Sequence, residues 1–223
     1  MRILSLLLFL AAASASARPV ATTSETLLEE ARRQIVLMSG ALAEGRYPPA
    51  SELTGLRSAL DAIGRTDAAP AAGREHEPRQ ALRMLDSALS VFGSLELLGV
   101  SADSARKEFL RIASAFEFAF SEDFDRAAAG SLRETALLFS TSVSCECTLA
   151  MCADYLDALY ALQRRRPGRF NIVVVDAFRN TDRSDKYGVE FLPTLVLLDS
   201  RQREARRIVR EEHIGEMLPL LPE

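Results

Sequence analysis

The chain has 223 residues, 48% of them apolar, and 27 Lys or Arg against 31 Asp or Glu for a formal net charge of −4. That length suits one large or two small globular domains, and a mildly acidic chain with no basic stripe gives nucleic-acid binding no footing. Three cysteines are too few for a disulfide-stapled scaffold, and an odd number leaves at least one unpaired.

The chain opens on Met1-Arg2, then an apolar run from Ile3 to Ala13, then the small residues Ala15-Ser16-Ala17. This pattern predicts a secretory signal peptide over 1–17, cleaved after Ala17. Its apolar core is shorter than the ~20 residues a membrane span needs. The mature protein is therefore expected to be exported, periplasmic or secreted, with no membrane attachment after cleavage, in a compartment where disulfides persist.

Residues 18–130 read as an all-α domain of about four amphipathic helices. Leu28, Ala31, Ile35, Met38 and Leu42 form one stripe at three- and four-residue steps. Ser24 is a candidate cap, and Gly45 with Pro48-Pro49 ends the helix. A second helix is predicted from Ser51 to Ile63, and Thr66 to Pro78 reads as a mobile loop. A third helix carries Leu82, Leu85, Leu89 and Phe92, and a fourth carries Phe109, Ile112, Phe116 and Phe120 behind a cap at Ser101 or Asp103. Such stripes signify a bundle core. A homodimer through this helical domain is one possible use of it. The acidic and alanine-rich stretch from Ser121 to Gly130 marks the expected domain boundary.

Residues 131–223 follow another pattern. Thr135–Ser140 is a short apolar strand, Thr148–Arg164 a helix, and Phe170–Asp176 a β-branched, continuous run that reads as a central strand buried on both faces. Thr181–Tyr187 is a short helix, Thr194–Leu198 a strand, Arg203–Val209 an arginine-studded edge strand, and Glu211–Leu221 a closing helix. The order is β-α-β-α-β-β-α, and strand-helix-strand implies a parallel pair.

Cys145-Glu146-Cys147 lies where the first strand hands over to its helix, and Tyr187-Gly188-Val189-Glu190-Phe191-Leu192-Pro193-Thr194-Leu195 leads into a later strand. With Tyr155-Leu156-Asp157-Ala158-Leu159 and Val173-Val174-Val175-Asp176, these segments resemble the thioredoxin-like superfamily from about Thr135 to Leu221. The resemblance implies an α/β fold, a thioredoxin-like domain preceded by the all-α helical domain. It also implies a cis proline at Pro193 that faces the thiols and shapes a substrate groove. The plain alternative for Pro193 is a trans proline opening a strand. The chain departs from the family in three places. One residue separates its two cysteines instead of two, Ser144 stands where an aromatic residue is usual, and Leu137-Leu138-Phe139 lacks the buried acid that helps move protons.

A cysteine at a helix N-terminus is pushed toward thiolate, the attacking species in disulfide exchange. Cys145, on the loop side, is the candidate nucleophile and Cys147 the resolving partner, with Glu146 opposing thiolate formation by its charge. The candidate site is thus Cys145, Cys147 and Pro193, with no cofactor. Cys152 reads as a small buried side chain, as a third disulfide partner, or as a third thiolate ligand for Cu or Zn. His76, in the linker, and His213, in the last helix, lack metal-ligand spacing to the cysteines. Three readings remain: thiol–disulfide exchange on protein substrates with an unknown redox partner, a non-catalytic binding or scaffold module with a structural disulfide, and a thiolate metal carrier.

Overall fold

The computed structural model describes residues 24–66 and 76–217. The expected signal peptide, the centre of the expected loop and the end of the expected last helix lie outside the described residues. Five helices come first: α1 (Ser24–Ala43), α2 (Ala50–Arg65), α3 (His76–Leu95), α4 (Ala102–Ala119) and α5 (Ser121–Ala129). Then come β1 (Glu134–Ser140), α6 (Glu146–Arg165), β2 (Phe170–Asp176), α7 (Thr181–Lys186), β3 (Thr194–Leu198), β4 (Glu204–Val209) and α8 (Ile214–Met217).

The four strands make one mixed sheet in the order β2-β1-β3-β4. β1 runs parallel to β2, with Ser140 opposite Asp176, and antiparallel to β3, with Phe139 opposite Thr194. β2 and β4 are the two edges, so Phe170–Asp176 is not the central strand expected of it, although α4 and α5 pack against it; β4 carries Arg206 and Arg207 between Glu204 and Val209. A charged edge discourages pairing with a stray chain. The second half of the chain thus has the thioredoxin-like architecture expected of it, preceded by an all-α region.

α1 is the innermost helix. From Gln34 to Leu42 every residue except Leu37 is buried, because α2, α4 and α6 all pack against it. Gly40 lets α6 come close: a Cβ there would lie 2.9 Å from Cδ of Arg164. Arg164 Nη1 donates to the Val36 carbonyl across the same contact, at 3.0 Å.

Two clusters of polar groups are paired between the layers, as burial favours. Arg32 of α1 donates through Nε to Glu117 Oε1 of α4 at 3.0 Å, and its Nη2 meets Oε2. Tyr160 of α6 donates to the same Oε1 at 2.9 Å. Burial raises the Tyr160 phenol well above its ordinary pKa, so it stays a donor. The Arg32 guanidinium also sits 3.2 Å from the centre of the Phe124 ring on α5. A second cluster centres on Asp157 of α6, which accepts from Ser39 at 2.8 Å and pairs with Arg106 of α4.

Two expectations need correction, and one helix was not foreseen. Ser121–Ala129, at the expected boundary, forms α5, whose Phe124 and Ala128 are buried and which packs against β2. Nine residues with a single large apolar side chain give too short a stripe to read. His76 does not sit in a loop, since α3 begins there, and His213 precedes α8 in a turn. One hydrophobic cluster runs from Leu28 through Phe116 and Phe124 to Tyr160 and Val196, without a break at residue 130.

Candidate functional site

β1 ends at Ser140, and four residues later the chain enters α6 with Cys145 as the N-cap in extended conformation. The Cys145 carbonyl accepts the first helical bond, from Leu149 N at 3.1 Å. Cys147 is the second helical residue and Thr148 the third. The helix therefore begins two residues before the predicted start, because a cysteine in the capping position is not an ordinary helix-start signal.

The loop between is held at both ends. Ser140 O accepts from Ala177 N at 2.8 Å. The buried carboxylate of Asp176 accepts from Ser142 N at 3.3 Å, from the Ser142 hydroxyl and from Phe178 N at 3.1 Å. Thr141 Oγ1 accepts from Val143 N and donates to Val143 O, at 3.1 and 2.9 Å. Asp176 thus fastens the thiol loop to the end of β2.

Cys145 and Cys147 are both exposed, with their sulfurs 2.6 Å apart, and the Thr148 hydroxyl is 3.2 Å from the Cys145 sulfur. The Cys145 thiol is lowered to about 6, first by the bond from Cys147, then by the hydroxyl and backbone N–H of Thr148. Cys145 also stands at the positive end of a 20-residue helix, which favours thiolate in the same direction.

Pro193 occupies the same end of the sheet. Thr194, the first residue of β3, is paired with Phe139, so Pro193 flanks the exit of β1 toward the thiols. The Leu192–Pro193 bond is cis. Thr194 donates to Phe191 O at 2.7 Å, and Pro193 O accepts from Arg210 N at 3.0 Å. The Tyr187 ring packs tilted against Phe139, with centroids 5.5 Å apart.

The third cysteine is not part of this group. Cys152 is 4% exposed, and burial raises its thiol pKa, with the Asp176 charge acting in the same direction and contacts from Ser140 and Thr141 partly offsetting it. Among the described residues no three His, Cys, Asp or Glu side chains are grouped to hold a metal ion.

Around the thiol end, Val143, Phe178, Phe191 and Val209 expose large apolar side chains. A shallow depression of about 190 Å³ lies between Gly188, Phe191, Thr194 and Arg207. A larger hollow of about 490 Å³ lies between the start of α1 and the end of α5, and neither Cys145, Cys147 nor Pro193 lines it. Sequence reasoning missed Thr148 and Asp176. Asp176 closing an unbroken apolar strand was the available signal for the second.

No protein-family model matches the chain, and no curated protein matches it. Among solved structures it is similar to the germline-specific thioredoxin Deadhead of Drosophila melanogaster, at 18% identity and a TM-score of 0.37, over 46% of this chain and 94% of that one. The fold assignment rests on strand order and connectivity, independently of that likeness.

Proposed function

We propose that this is an exported thiol–disulfide exchange protein acting on protein substrates, with a thioredoxin-like domain over 131–223 and a helical domain over 18–130. The observation that carries the reading is an exposed N-cap cysteine whose sulfur lies 2.6 Å from the Cys147 sulfur and 3.2 Å from the Thr148 hydroxyl, contacts that lower its pKa. Thiolate is the species that attacks a disulfide. The apolar side chains Val143, Phe178 and Phe191 at the same end suit an unfolded or extended polypeptide.

In this scheme the Cys145 thiolate attacks one sulfur of a substrate disulfide. A Cys145–substrate bond forms, the substrate S–S bond breaks, and the departing sulfur leaves as thiolate and takes a proton. Cys147, deprotonated, then attacks the Cys145 sulfur. The Cys145–Cys147 disulfide closes and the second substrate sulfur is released, so two electrons pass to the substrate. In reverse, the disulfide oxidises a substrate dithiol, and an external redox partner resets the pair. A stabilised thiolate favours the reduced protein, which makes its disulfide the stronger oxidant. The reading therefore favours oxidation or isomerisation, with Pro193 shaping the groove beside the sulfurs.

Trapping tests it. Cys147→Ser should accumulate mixed disulfides between Cys145 and substrate proteins, identified by mass spectrometry, and adding Cys145→Ser should abolish them. Trapping that persists without Cys145 and vanishes only without Cys147 reverses the two roles. Phe139 in place of a buried acid favours the second reading, a binding module whose cysteines form a structural bridge. In that case neither variant traps a substrate.

A further inference from the structure

The turn after β4 holds a residue in a conformation that is costly for its type. Among the described residues six have a positive φ, and four of them are glycines, which adopt it freely. The other two are Gln202 and Arg210, at φ 59° and 47°. The Gln202 side chain serves the fold, since its amide donates to the Thr135 hydroxyl at 3.3 Å. Arg210 is exposed, and its guanidinium makes no ion pair or hydrogen bond among the described residues, although Glu211 and Glu212 follow it directly. Its backbone is what is fixed. The Arg210 N–H donates to the Pro193 carbonyl at 3.0 Å, and the Glu211 N–H donates to the Tyr155 hydroxyl of α6 at 2.6 Å. These bonds tie the turn to the cis proline and to the helix that carries the thiols. Val209 pairs with Thr194, so Arg210 leaves β4 at the same end of the sheet as Pro193. Val209 and Phe191 are exposed there and line the depression of about 190 Å³.

We propose that Arg210 is a specificity-determining residue of the thiol site, and that its guanidinium takes a carboxylate of the substrate polypeptide, an Asp or Glu side chain beside the reacting cysteine. The proposal rests on the thiol-exchange reading and names what that site selects. Non-glycine residues held at positive φ by their surroundings cluster at binding and active sites. A glycine would fit this turn without strain, but it would leave the end of the sheet without the charge. Arginine stays protonated, and its planar fork matches a carboxylate with two parallel N–H donors. With no acid of its own chain to hold, the Arg210 guanidinium keeps all its donors for a ligand. Arg207, the arginine that lines the depression, is already engaged by Glu204 and by the carbonyls of Tyr187 and Gly188. The exposed Phe191 and Val209 add apolar surface beside that charge. The favoured substrate segment therefore combines an acidic residue with an apolar one next to its cysteine.

Oxidation of two-cysteine peptides by the disulfide form of the full chain tests it. The peptides differ only in carrying Glu, Gln or Lys beside one cysteine, and kcat/KM is measured for each at low salt. A charge beside a cysteine alters the peptide's own thiols, so Arg210→Gln serves as the reference. The Glu-to-Gln ratio of kcat/KM is expected to be about 3-fold higher in the wild type than in Arg210→Gln, the size of one exposed ion pair. The Lys peptide should fall below the Gln peptide by the same comparison, and both margins should vanish in ~1 M salt. Arg210→Gly should lose the margins too, and should unfold in urea no earlier than Arg210→Gln, because glycine accepts this φ freely. Equal ratios in the wild type and Arg210→Gln overturn the assignment and leave the thiol reading in place. A wild type that oxidises none of the peptides overturns both. Earlier unfolding of Arg210→Gly than of Arg210→Gln would show an unstrained turn and overturn the inference.

Discussion

Cys145 takes its thiolate character from side chains two and three positions along the chain, which only a helix starting at Glu146 brings onto its sulfur. Alkylation by iodoacetamide should therefore reach half its maximal rate near pH 6 at Cys145, well below an ordinary thiol. Thr148→Val removes the hydroxyl donor and should move that midpoint up toward the ordinary value, with the fold unchanged. An unshifted midpoint would exclude Thr148 from the site. The sign for stability follows from the same depression. The thiolate's contribution is complete above the ordinary thiol range and is lost as the pH falls through about 6. The cysteines were legible in the sequence because clustered sulfur is chemically conspicuous. Thr148 was not, because a threonine near a helix start is common and its direction depends on where the helix begins.

The elements were legible in proportion to their periodicity. Phe170–Asp176 and Thr194–Leu198 appear as strands within the limits their β-branched and apolar runs suggest. α5 escaped because its acidic and alanine-rich residues leave Phe124 as its only large buried side chain. That residue carries the contact with the Arg32 guanidinium as well as apolar packing, so one side chain anchors the whole helix. Phe124→Ala should destabilise the protein by about 3–5 kcal/mol, measured by urea unfolding. A loss under about 1 kcal/mol, the level of surface changes, would mean that α5 docks by other contacts.

Across the whole molecule the two regions share one core, and α6 is the element both depend on. Its outer face meets α1 and α4 through Tyr160, Asp157 and Arg164. Glu117→Ala would strand Arg32 inside the protein and should cost about 3–5 kcal/mol in thermal or urea unfolding. A single cooperative transition is expected, with the helices and the sheet melting together when followed by far-ultraviolet circular dichroism and by Tyr fluorescence. Residues 131–223 expressed alone should bare the apolar outer side of α6 and aggregate. A well-dispersed NMR spectrum from that fragment would show instead that the sheet region stands without the helical layer. The sequence separated the regions by a change of pattern. It could not show that they interlock, because Glu117 and Tyr160 are 43 positions apart and neither carries a recognisable motif.

Cys152 gives the protein an internal timekeeper. It sits in the same helix as the exposed pair but behind closed packing, where burial raises its thiol pKa. Once Cys145 and Cys147 are blocked, a maleimide can reach it only during excursions that part α6 from the sheet. The labelling half-life of that one sulfur should lengthen and shorten in step with global stability. Rapid labelling in fully native protein would reveal a local opening at the head of α6.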